Sequence, residues 1–286
     1  MRYLAETKKC SERQACRLIC LPRATARYVA KVCAGEAVLV ERLKAIGIKH
    51  PRFGYRRAHA LLARRSSSSE QKINHKRVHR LWKREGLSVR RGVKKKRAMD
   101  PNQERPVCVR ALHPNHVWTV DFVQDQTRTG RRLRMLSVTD EFTRQSRAIE
   151  VGLSLTGQAV AHVLERLFSK HGAPAYLRCD NGPEFVALAL RGFLHRSGVK
   201  TAYIKPGSPW QNGFAESFHS RFRDEFLNGE VFSSLSESQV RVETWRRWYN
   251  TERPHSGLGY QTPNEFAACY QAGNQKVAGT NSPVGT

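Results

Sequence analysis

Two short stretches of this 286-residue chain, RCDNGPEF at residues 178–185 and PGSPWQNGFAES at residues 206–217, bear most directly on its fold. The first follows an apolar run and enters a turn, so Asp180 is predicted to lie at the end of a strand. Thirty-five residues separate Asp180 from Glu216, which belongs to the second stretch. Each acidic residue alone has an ordinary explanation, a turn for Asp180 and a solvated helix face for Glu216.

The second stretch has the signals of a helix start. Ser208 is predicted to be the N-cap, Pro209 the first helical residue and Gln211 the residue that closes a capping box. Aromatic residues then recur at every fourth position and predict one apolar stripe facing a core: Trp210, Phe214, Phe218, Phe222 and Phe226. A second stripe is polar and suits a face held near phosphate: Asn212, Glu216, His219 and Arg223.

The charge of the chain is concentrated in its first part. The formal net charge is +26, and residues 1–110 hold 30 Lys and Arg against 8 Asp and Glu, which leaves 20 against 16 for residues 111–286. A basic segment joined to a nearly neutral one is typical of a nucleic-acid-binding arm attached to a catalytic or packing domain. A general polyanion-binding protein is the alternative that composition leaves open.

Several protein classes are disfavoured by composition and motifs. Seven cysteines without a secretory signal indicate reduced thiols in a cytosolic protein, so we expect no disulfides and helical burial for Cys10, Cys16, Cys20 and Cys33. No apolar run approaches the roughly eighteen residues of a membrane span. The glycine-rich loops that bind ATP or a dinucleotide are also absent from the sequence.

The basic part is predicted to be all-α. Residues 1–50 are interpreted as a helix-turn-helix-like region, with Ser11 and Gln14 forming a capping box, and residues 51–107 as a basic helical DNA-binding region and linker. Asn74 is predicted to cap a helix with one apolar and one cationic side. A solvated charge run is the alternative, but one sign persists through three successive elements. The predicted DNA contacts here are Arg56, Arg57, Lys76, Arg77, Arg80, Lys94, Lys95 and Lys96.

After residue 108 the periodicity changes to that of strands. Three predicted strands, at about 116–123, 133–138 and 145–151, form a β-meander. A helix at 156–170, a short strand to Cys179, a helix at 183–196 and a strand at 200–203 follow. This order predicts an α/β fold with a mixed sheet and helices on its faces.

Asp121 lies inside the first of these strands, between apolar residues. An ionised carboxylate there is costly unless a cation or hydrogen-bond donors satisfy it. Three carboxylate ligands, one from a strand interior, one from a strand end and one from a helix face, can converge on a hard ion such as Mg²⁺. We therefore expect Asp121, Asp180 and Glu216 to form one metal-binding group.

These motifs together resemble a known family. WTVDF at 118–122, SVTDEFTR at 137–144, the two stretches quoted first and WYNTERPHSGLGYQTP at 248–263 resemble the catalytic core of retroviral-integrase-like DDE transposases, most of all the OrfB product of bacterial insertion sequences. FGYRRAH at 53–59 and NHKRVHRLW at 74–82 match the basic half. The resemblance covers roughly residues 10–270.

The resemblance implies an RNase H-like mixed five-stranded sheet over residues 108–270, with residues 271–286 expected to be a disordered tail. Asp121, Asp180 and Glu216 would be both catalytic residues and ligands of two Mg²⁺ ions, with Mn²⁺ as a substitute. Asp140 and Glu184, in the same motifs, are interpreted as structural. Asn212, His219 and Arg223 are expected to contact DNA. The retroviral zinc module has no counterpart here, so no zinc is expected.

The implied function is metal-dependent cleavage and transfer of DNA strands by a transposase. Its partners would be double-stranded DNA, both insertion-sequence ends and target, and further copies of the chain on that DNA. We also expect a product of the upstream frame as a partner or fusion, and a bacterial cytoplasmic, nucleoid-associated location. A non-catalytic DNA-binding regulator and an RNase H-like nuclease are the two alternatives.

Overall fold

The computed structural model describes residues 11–28, 35–65, 73–89, 109–204 and 209–279. The chain divides into two compact units, residues 1–45 and 46–286. The domain boundary near residue 108 stays a prediction. Within the described ranges, no helix combines the length and apolarity that crossing a bilayer requires.

Among its described residues, the first unit contains two short helices, α1 (Glu12–Leu18) and α2 (Arg23–Ala26). The capping box predicted for α1 is confirmed: the amide of Gln14 donates to the Ser11 Oγ at 3.3 Å, and the Ser11 amide donates to the Gln14 Oε1 at 3.0 Å. A third helix, α3 (Glu36–Lys49), crosses from the first unit into the second. Residues 29–34 lie outside the described residues.

Two basic helices follow in the second unit, α4 (Tyr55–Arg65) and α5 (His75–Arg84). Asn74 caps α5 as predicted, its Oδ1 accepting from the Lys76 amide at 2.9 Å. The apolar side of α5 buries Val78, Leu81 and Trp82. The cationic side is left to solvent, which is the arrangement that the amphipathic pattern predicts.

The predicted mixed five-stranded sheet is confirmed. Three strands are antiparallel neighbours, β1 (Val117–Gln126), β2 (Arg132–Asp140) and β3 (Ser146–Gly152). Two short strands, β4 (Tyr176–Cys179) and β5 (Lys200–Tyr203), continue the sheet beyond β1 and run parallel to it. The spatial order is β3-β2-β1-β4-β5.

Helices cover both faces of the sheet. One core contains Trp118 and Val120 together with residues of α6 (Gly157–His171), α7 (Pro183–Val186) and α8 (Leu188–Arg196). The other contains Val123 together with residues of α9 (Gly213–Glu225) and α10 (Leu235–Thr251). A last helix, α11 (Pro263–Gly279), follows. Because side chains alternate along β1, odd-numbered residues from 119 to 123 face α9.

Three local predictions differ from the structure. The single helix expected at 183–196 is interrupted at Ala187, whose ψ of 136° is extended. The helix expected from Ser208 begins as a 3₁₀ turn at Pro209–Asn212 and becomes α-helical at Gly213, while Ser208 itself lies outside the described residues. The tail expected from residue 271 is helical as far as Gly279, and 280–286 are not described.

The aromatic stripe of α9 is only partly confirmed. Phe218 and Phe222 are buried, and Phe226 packs against the same core. Phe214 is 37% exposed, and the Arg144 guanidinium lies 4.0 Å from its ring centroid. Phe214 occupies the first turn of α9, so it lies beyond the edge of the core that its partners fill. Nothing is described for the side chain of Trp210.

Candidate active site

Asp121 lies near the middle of β1 on the face covered by α9. Its side chain is 20% exposed. The Oδ1 accepts a hydrogen bond from the Phe122 amide at 2.7 Å, and the Oδ2 accepts one from the Asn212 Nδ2 at 2.9 Å. The carboxylate is therefore held by two donors, and one of them comes from the chain that leads into α9.

The pKa of Asp121 records the neighbourhood of two further carboxylates. The pKa of Asp121 is raised to about 6, chiefly by burial and also by the charges of Asp180 and Glu216, against the lowering effect of the hydrogen bonds from Phe122 and Asn212. Like charges act on one another in this way only when they are close. The fold thus brings the three acidic residues into one neighbourhood.

Asp180 and Glu216 are both exposed, in contrast to Asp121. Asp180 directly follows β4, as predicted, and its Oδ1 accepts from the Gly182 amide at 2.9 Å. A side chain at position 182 would place its Cβ 3.0 Å from that oxygen, so this turn requires glycine or an adjustment. Glu216 lies in the first turn of α9, where the helix dipole favours an anion.

Asn212 is turned toward the sheet and not toward the surface. It is 7% exposed, and besides its bond to Asp121 its Oδ1 accepts from the Thr119 Oγ1 at 3.3 Å. These contacts give Asn212 a positioning role for Asp121 that the interpretation as a DNA contact did not include. A DNA contact by this residue stays a prediction, and its burial does not favour it.

His219 is also directed inward, onto the strand opposite Asp121. Its Nε2 lies 2.7 Å from the Ser137 Oγ, and its Nδ1 lies 3.7 Å from the Asp121 Oδ2. Burial, with the charge of Arg223, lowers the pKa of His219 to about 4. Arg223 itself is exposed and donates to the Gln124 carbonyl at 3.0 Å. Of the polar stripe, Arg223 is best placed to meet DNA.

The basic residues predicted to contact DNA fall into three groups. Arg56, Lys76 and Arg80 are exposed, and Arg77 is half-buried. Arg57 is 18% exposed and forms an ion pair with Glu225 at 2.7 Å, so its charge is already matched. Lys94, Lys95 and Lys96 lie outside the described residues.

Asp140 and Glu184 already have partners elsewhere. The Asp140 side chain is fully buried, pairs with Arg147 at 3.2 Å and accepts from three backbone amides. Glu184 pairs with Arg134 at 2.5 Å, and that hydrogen bond lowers the pKa of Glu184. These contacts agree with the structural interpretation of both residues.

Two features near the site were missed by sequence reasoning. Ser137 faces Asp121 across the β1–β2 pair, and its Oγ donates to the Asp121 carbonyl at 3.1 Å. Arg178 and Glu141 form a buried ion pair at 2.7 Å, with side chains 4% and 0% exposed. The alternation of β1 could have identified Thr119 as a neighbour of Asp121, but the other contacts depend on strand register.

The three carboxylates have the chemistry of a metal site, but their side chains do not lie close enough together to hold an ion. Within residues 11–28, 35–65, 73–89, 109–204 and 209–279, no three His, Cys, Asp or Glu side chains converge tightly enough to hold a metal ion. Yet Asp121, Asp180 and Glu216 supply the oxygen ligands that hard divalent cations prefer. Burial and the two neighbouring carboxylates raise the pKa of Asp121, and a bound cation would favour its ionised form.

Known families and proteins resemble this chain in sequence. Models of an integrase core domain match residues 111–209 and 197–263, and a model of an HTH-like domain matches residues 35–97. The chain is 40% identical, over 95% of its length and 96% of the relative's, to the insertion element IS407 uncharacterized 31.7 kDa protein of Burkholderia multivorans. This chain belongs to the insertion-element transposases with an integrase core.

Other matches of this transposase are more distant. It is 29% identical to transposase InsD for insertion element IS2 of Escherichia coli, over 76% of the chain and 73% of that protein. The HTLV-2 integrase catalytic core domain, in a structure with magnesium, aligns with a TM-score of 0.45 and 17% identity over 55% of the chain and 99% of that domain. The HTH-like match begins at residue 35, so it includes α4 and α5 and leaves out α1 and α2.

Proposed function

We propose that this transposase cleaves DNA strands and joins them to a target at Asp121, Asp180 and Glu216. The observation that carries the proposal is the position of the Asp121 carboxylate beside the start of α9, where Asn212 donates to it at 2.9 Å and Glu216 lies in the first turn. Keeping three acidic groups together without cations is costly, and a domain used only for packing gains nothing from it. The cost is understandable if the carboxylates hold divalent cations during a reaction.

Each carboxylate has its own position in the proposed chemistry. When bound, two Mg²⁺ ions, or Mn²⁺ in their place, would stabilise the attacking and leaving oxygens of an in-line displacement at phosphorus. Asp121 is held in orientation by Phe122 and Asn212 and approaches from the sheet. Asp180 and Glu216 approach from the solvent side, where a DNA strand can reach them. The nucleophile is first water and then a DNA 3′-hydroxyl, with no covalent enzyme intermediate.

Binding of duplex DNA is assigned to the basic helices α4 and α5 and to Lys94, Lys95 and Lys96, which follow them in the sequence. Arg56, Lys76 and Arg80 are exposed on α4 and α5, where they can neutralise phosphates without reading sequence. We propose that insertion-sequence ends and target DNA are both bound by copies of this chain assembled on the DNA. In a salt titration of duplex binding, log Kd should change steeply with log salt, and a flat response would contradict this assignment.

A metal-dependent cleavage assay on a labelled duplex with candidate element ends tests the enzymatic proposal. Asp121→Asn, Asp180→Asn and Glu216→Gln should each lose cleavage and keep DNA binding, because the binding residues lie elsewhere. Asp125→Asn is a matched control on the same face of β1 and should remain active. If any of these three variants still joined DNA strands, the assignment of the catalytic residues would be wrong.

The same assay separates the two alternatives. A non-catalytic DNA-binding regulator would bind the duplex and leave it intact at every Mg²⁺ or Mn²⁺ concentration. An RNase H-like nuclease would cut an RNA–DNA hybrid in preference to the DNA duplex. The proposed transposase should cut the DNA duplex at the element ends and, when target DNA is added, produce joined strands.

A further inference from the structure

Arg178 is a buried arginine of β4 that lies two residues before Asp180 in the sequence. Its side chain is 4% exposed. In the sheet register Arg178 pairs with Thr119 of β1, so it lies on the face of the sheet that α9 covers. A guanidinium kept out of water requires partners for its N–H groups.

These partners belong to segments that are far apart in the sequence. The Arg178 Nε donates to the Glu141 Oε1 at 2.7 Å, and Glu141 directly follows β2. The Nη1 donates at 3.2 Å to the carbonyl of Gln211, in the 3₁₀ turn Pro209–Asn212 that leads into α9. The Nη2 donates to the Val109 carbonyl. One planar group thus ties β4 to the turn after β2 and to the start of α9.

The attachment extends to the next residue of the 3₁₀ turn. The side chain of Asn212 is bonded to Thr119 and Asp121. Because Arg178 and Thr119 are paired across β4 and β1, two consecutive residues of the turn are held by neighbouring positions of the sheet. Glu216 follows four residues after Asn212, in the first turn of α9. Its place relative to the sheet therefore depends on how the turn is attached.

The ion pair of Arg178 and Glu141 is a costly way to fill this part of the interior. The Glu141 side chain is 0% exposed, and burial raises the pKa of Glu141 to about 7 against the lowering effect of Arg178. Apolar side chains of similar volume often stabilise a fold as well as a buried ion pair does, or better. An orienting role accounts for the pair, because apolar side chains have no donor for a backbone carbonyl.

The geometry of these contacts is specific to arginine. The guanidinium presents its N–H donors from separate nitrogens in a fixed fork, and Nε, Nη1 and Nη2 each meet a different acceptor. A lysine ammonium keeps a positive charge opposite Glu141, but all its donors leave from one atom. The change Arg178→Lys therefore separates the compensation of charge from the attachment of the turn.

We propose that Arg178 is a positioning residue that holds the Pro209–Asn212 turn, and with it Glu216, against the end of β4. Asp180 directly follows that strand, so the contact fixes the spacing between two of the proposed metal ligands. This role of Asp180 and Glu216 rests on the proposed function, whereas the attachment itself requires no catalysis. Arg178 acts through the backbone carbonyl of Gln211 and not on the reacting atoms.

Hydrogen–deuterium exchange of the full chain in EDTA, read by mass spectrometry, tests the attachment. In Arg178→Lys, a peptide covering residues 209–218 should exchange about tenfold faster, as expected for the loss of a hydrogen bond from a charged donor. Peptides of α6, on the other face of the sheet, should not change. Arg147→Lys is the matched control, because Arg147 is also buried and its hydrogen bonds go to Asn115 and Asp140.

A double variant keeps the test valid if the lysine variant folds poorly. Arg178→Met with Glu141→Leu removes both members of the pair, so neither is left as an unpaired charge, and its urea midpoint should stay close to that of the unchanged protein. The peptide 209–218 should nevertheless exchange faster, because the donor to Gln211 is missing. Unchanged exchange in both Arg178 variants, or equal acceleration by Arg147→Lys, would overturn the proposal.

Cleavage kinetics test the consequence for the metal ligands. Arg178→Lys should raise the Mg²⁺ concentration for half-maximal cleavage of the element-end duplex about tenfold, by the same loss of one charged hydrogen bond. The Kd for the duplex should not change, because the exposed basic residues of α4 and α5 remain. A merely structural defect would lower the extent of cleavage at every Mg²⁺ concentration without shifting this midpoint, and that result would overturn the positioning role.

The two measurements distinguish this proposal from the proposed function. If the unchanged protein cleaves and Arg178→Lys matches it in exchange and in Mg²⁺ dependence, only the positioning role is refuted. If the unchanged protein fails to cleave while Arg178→Lys exchanges faster at residues 209–218, the attachment stands and the proposed function is refuted.

Discussion

Replacing Glu225 with glutamine should strongly destabilise the chain. The carboxylate is 3% exposed and accepts three hydrogen bonds: one from the Arg57 Nη1 at 2.7 Å and two from Arg253, both at 2.6 Å. The Arg253 side chain is 2% exposed. Glutamine would leave two guanidinium groups close together without a counter-charge. Removing one partner of a buried ion pair costs about 3–5 kcal/mol.

Urea or thermal unfolding followed by circular dichroism measures this loss. At roughly 2–4 °C per kcal/mol for a chain of this size class, we expect the melting temperature to fall by about 10 °C. The neighbouring residue provides the control, since Asp224 pairs with Arg52 through side chains that are 31% and 47% exposed. Asp224→Asn should cost no more than about 1 kcal/mol. Equal shifts for Glu225→Gln and Asp224→Asn would refute the reasoning.

Two further predictions concern packing and thiol chemistry. Gly157→Ala should lower the free energy of unfolding in urea by about 1–3 kcal/mol, because the added Cβ would lie 2.5 Å from the Ala187 Cβ. The control is Gly229→Ala, whose added Cβ meets nothing within 4 Å and should be tolerated. Equal effects of the two changes would contradict the packing at Gly157. Burial raises the pKa of Cys179 to about 12. Iodoacetamide at pH 8 should therefore modify the exposed Cys269 and spare the buried Cys179 until the chain unfolds. Mass spectrometry that finds Cys179 modified in the folded chain would contradict this prediction.

Local signals in the sequence are sufficient to predict the helices and strands and one face of the site. The capping boxes and caps at Ser11 and Asn74 involve neighbours two or three positions away, so they can be recognised without a fold. The alternation of β1 places Thr119 and Asp121 on one face, which the structure confirms. The order of strands and helices is likewise sufficient for a mixed sheet with helices on both sides.

The contacts that orient the site depend on residues far apart in the chain. Asn212 reaches Asp121 across 91 positions, and Ser137 meets His219 across 82. Helical periodicity places Asn212 and His219 on a polar face but cannot say whether that face meets solvent or a strand. The ion pair of Arg57 and Glu225 spans 168 positions, so composition alone made Arg57 a plausible phosphate contact. Each discrepancy therefore comes from a pairing that only the folded chain creates.

The helix α9 links these observations, since it connects the basic helices to the carboxylates. Glu216 lies in its first turn and Glu225 at its last residue, about 14 Å apart at the rise of an α-helix. Glu225 is paired with Arg57 of α4, so under the proposed function DNA bound along the basic helices would be positioned relative to Glu216 through one helix. This attachment also explains why residues 46–89 belong to the same compact unit as the sheet. In the proposed reaction, the ion pair at Glu225 would therefore also set the distance between the bound duplex and the reacting phosphodiester.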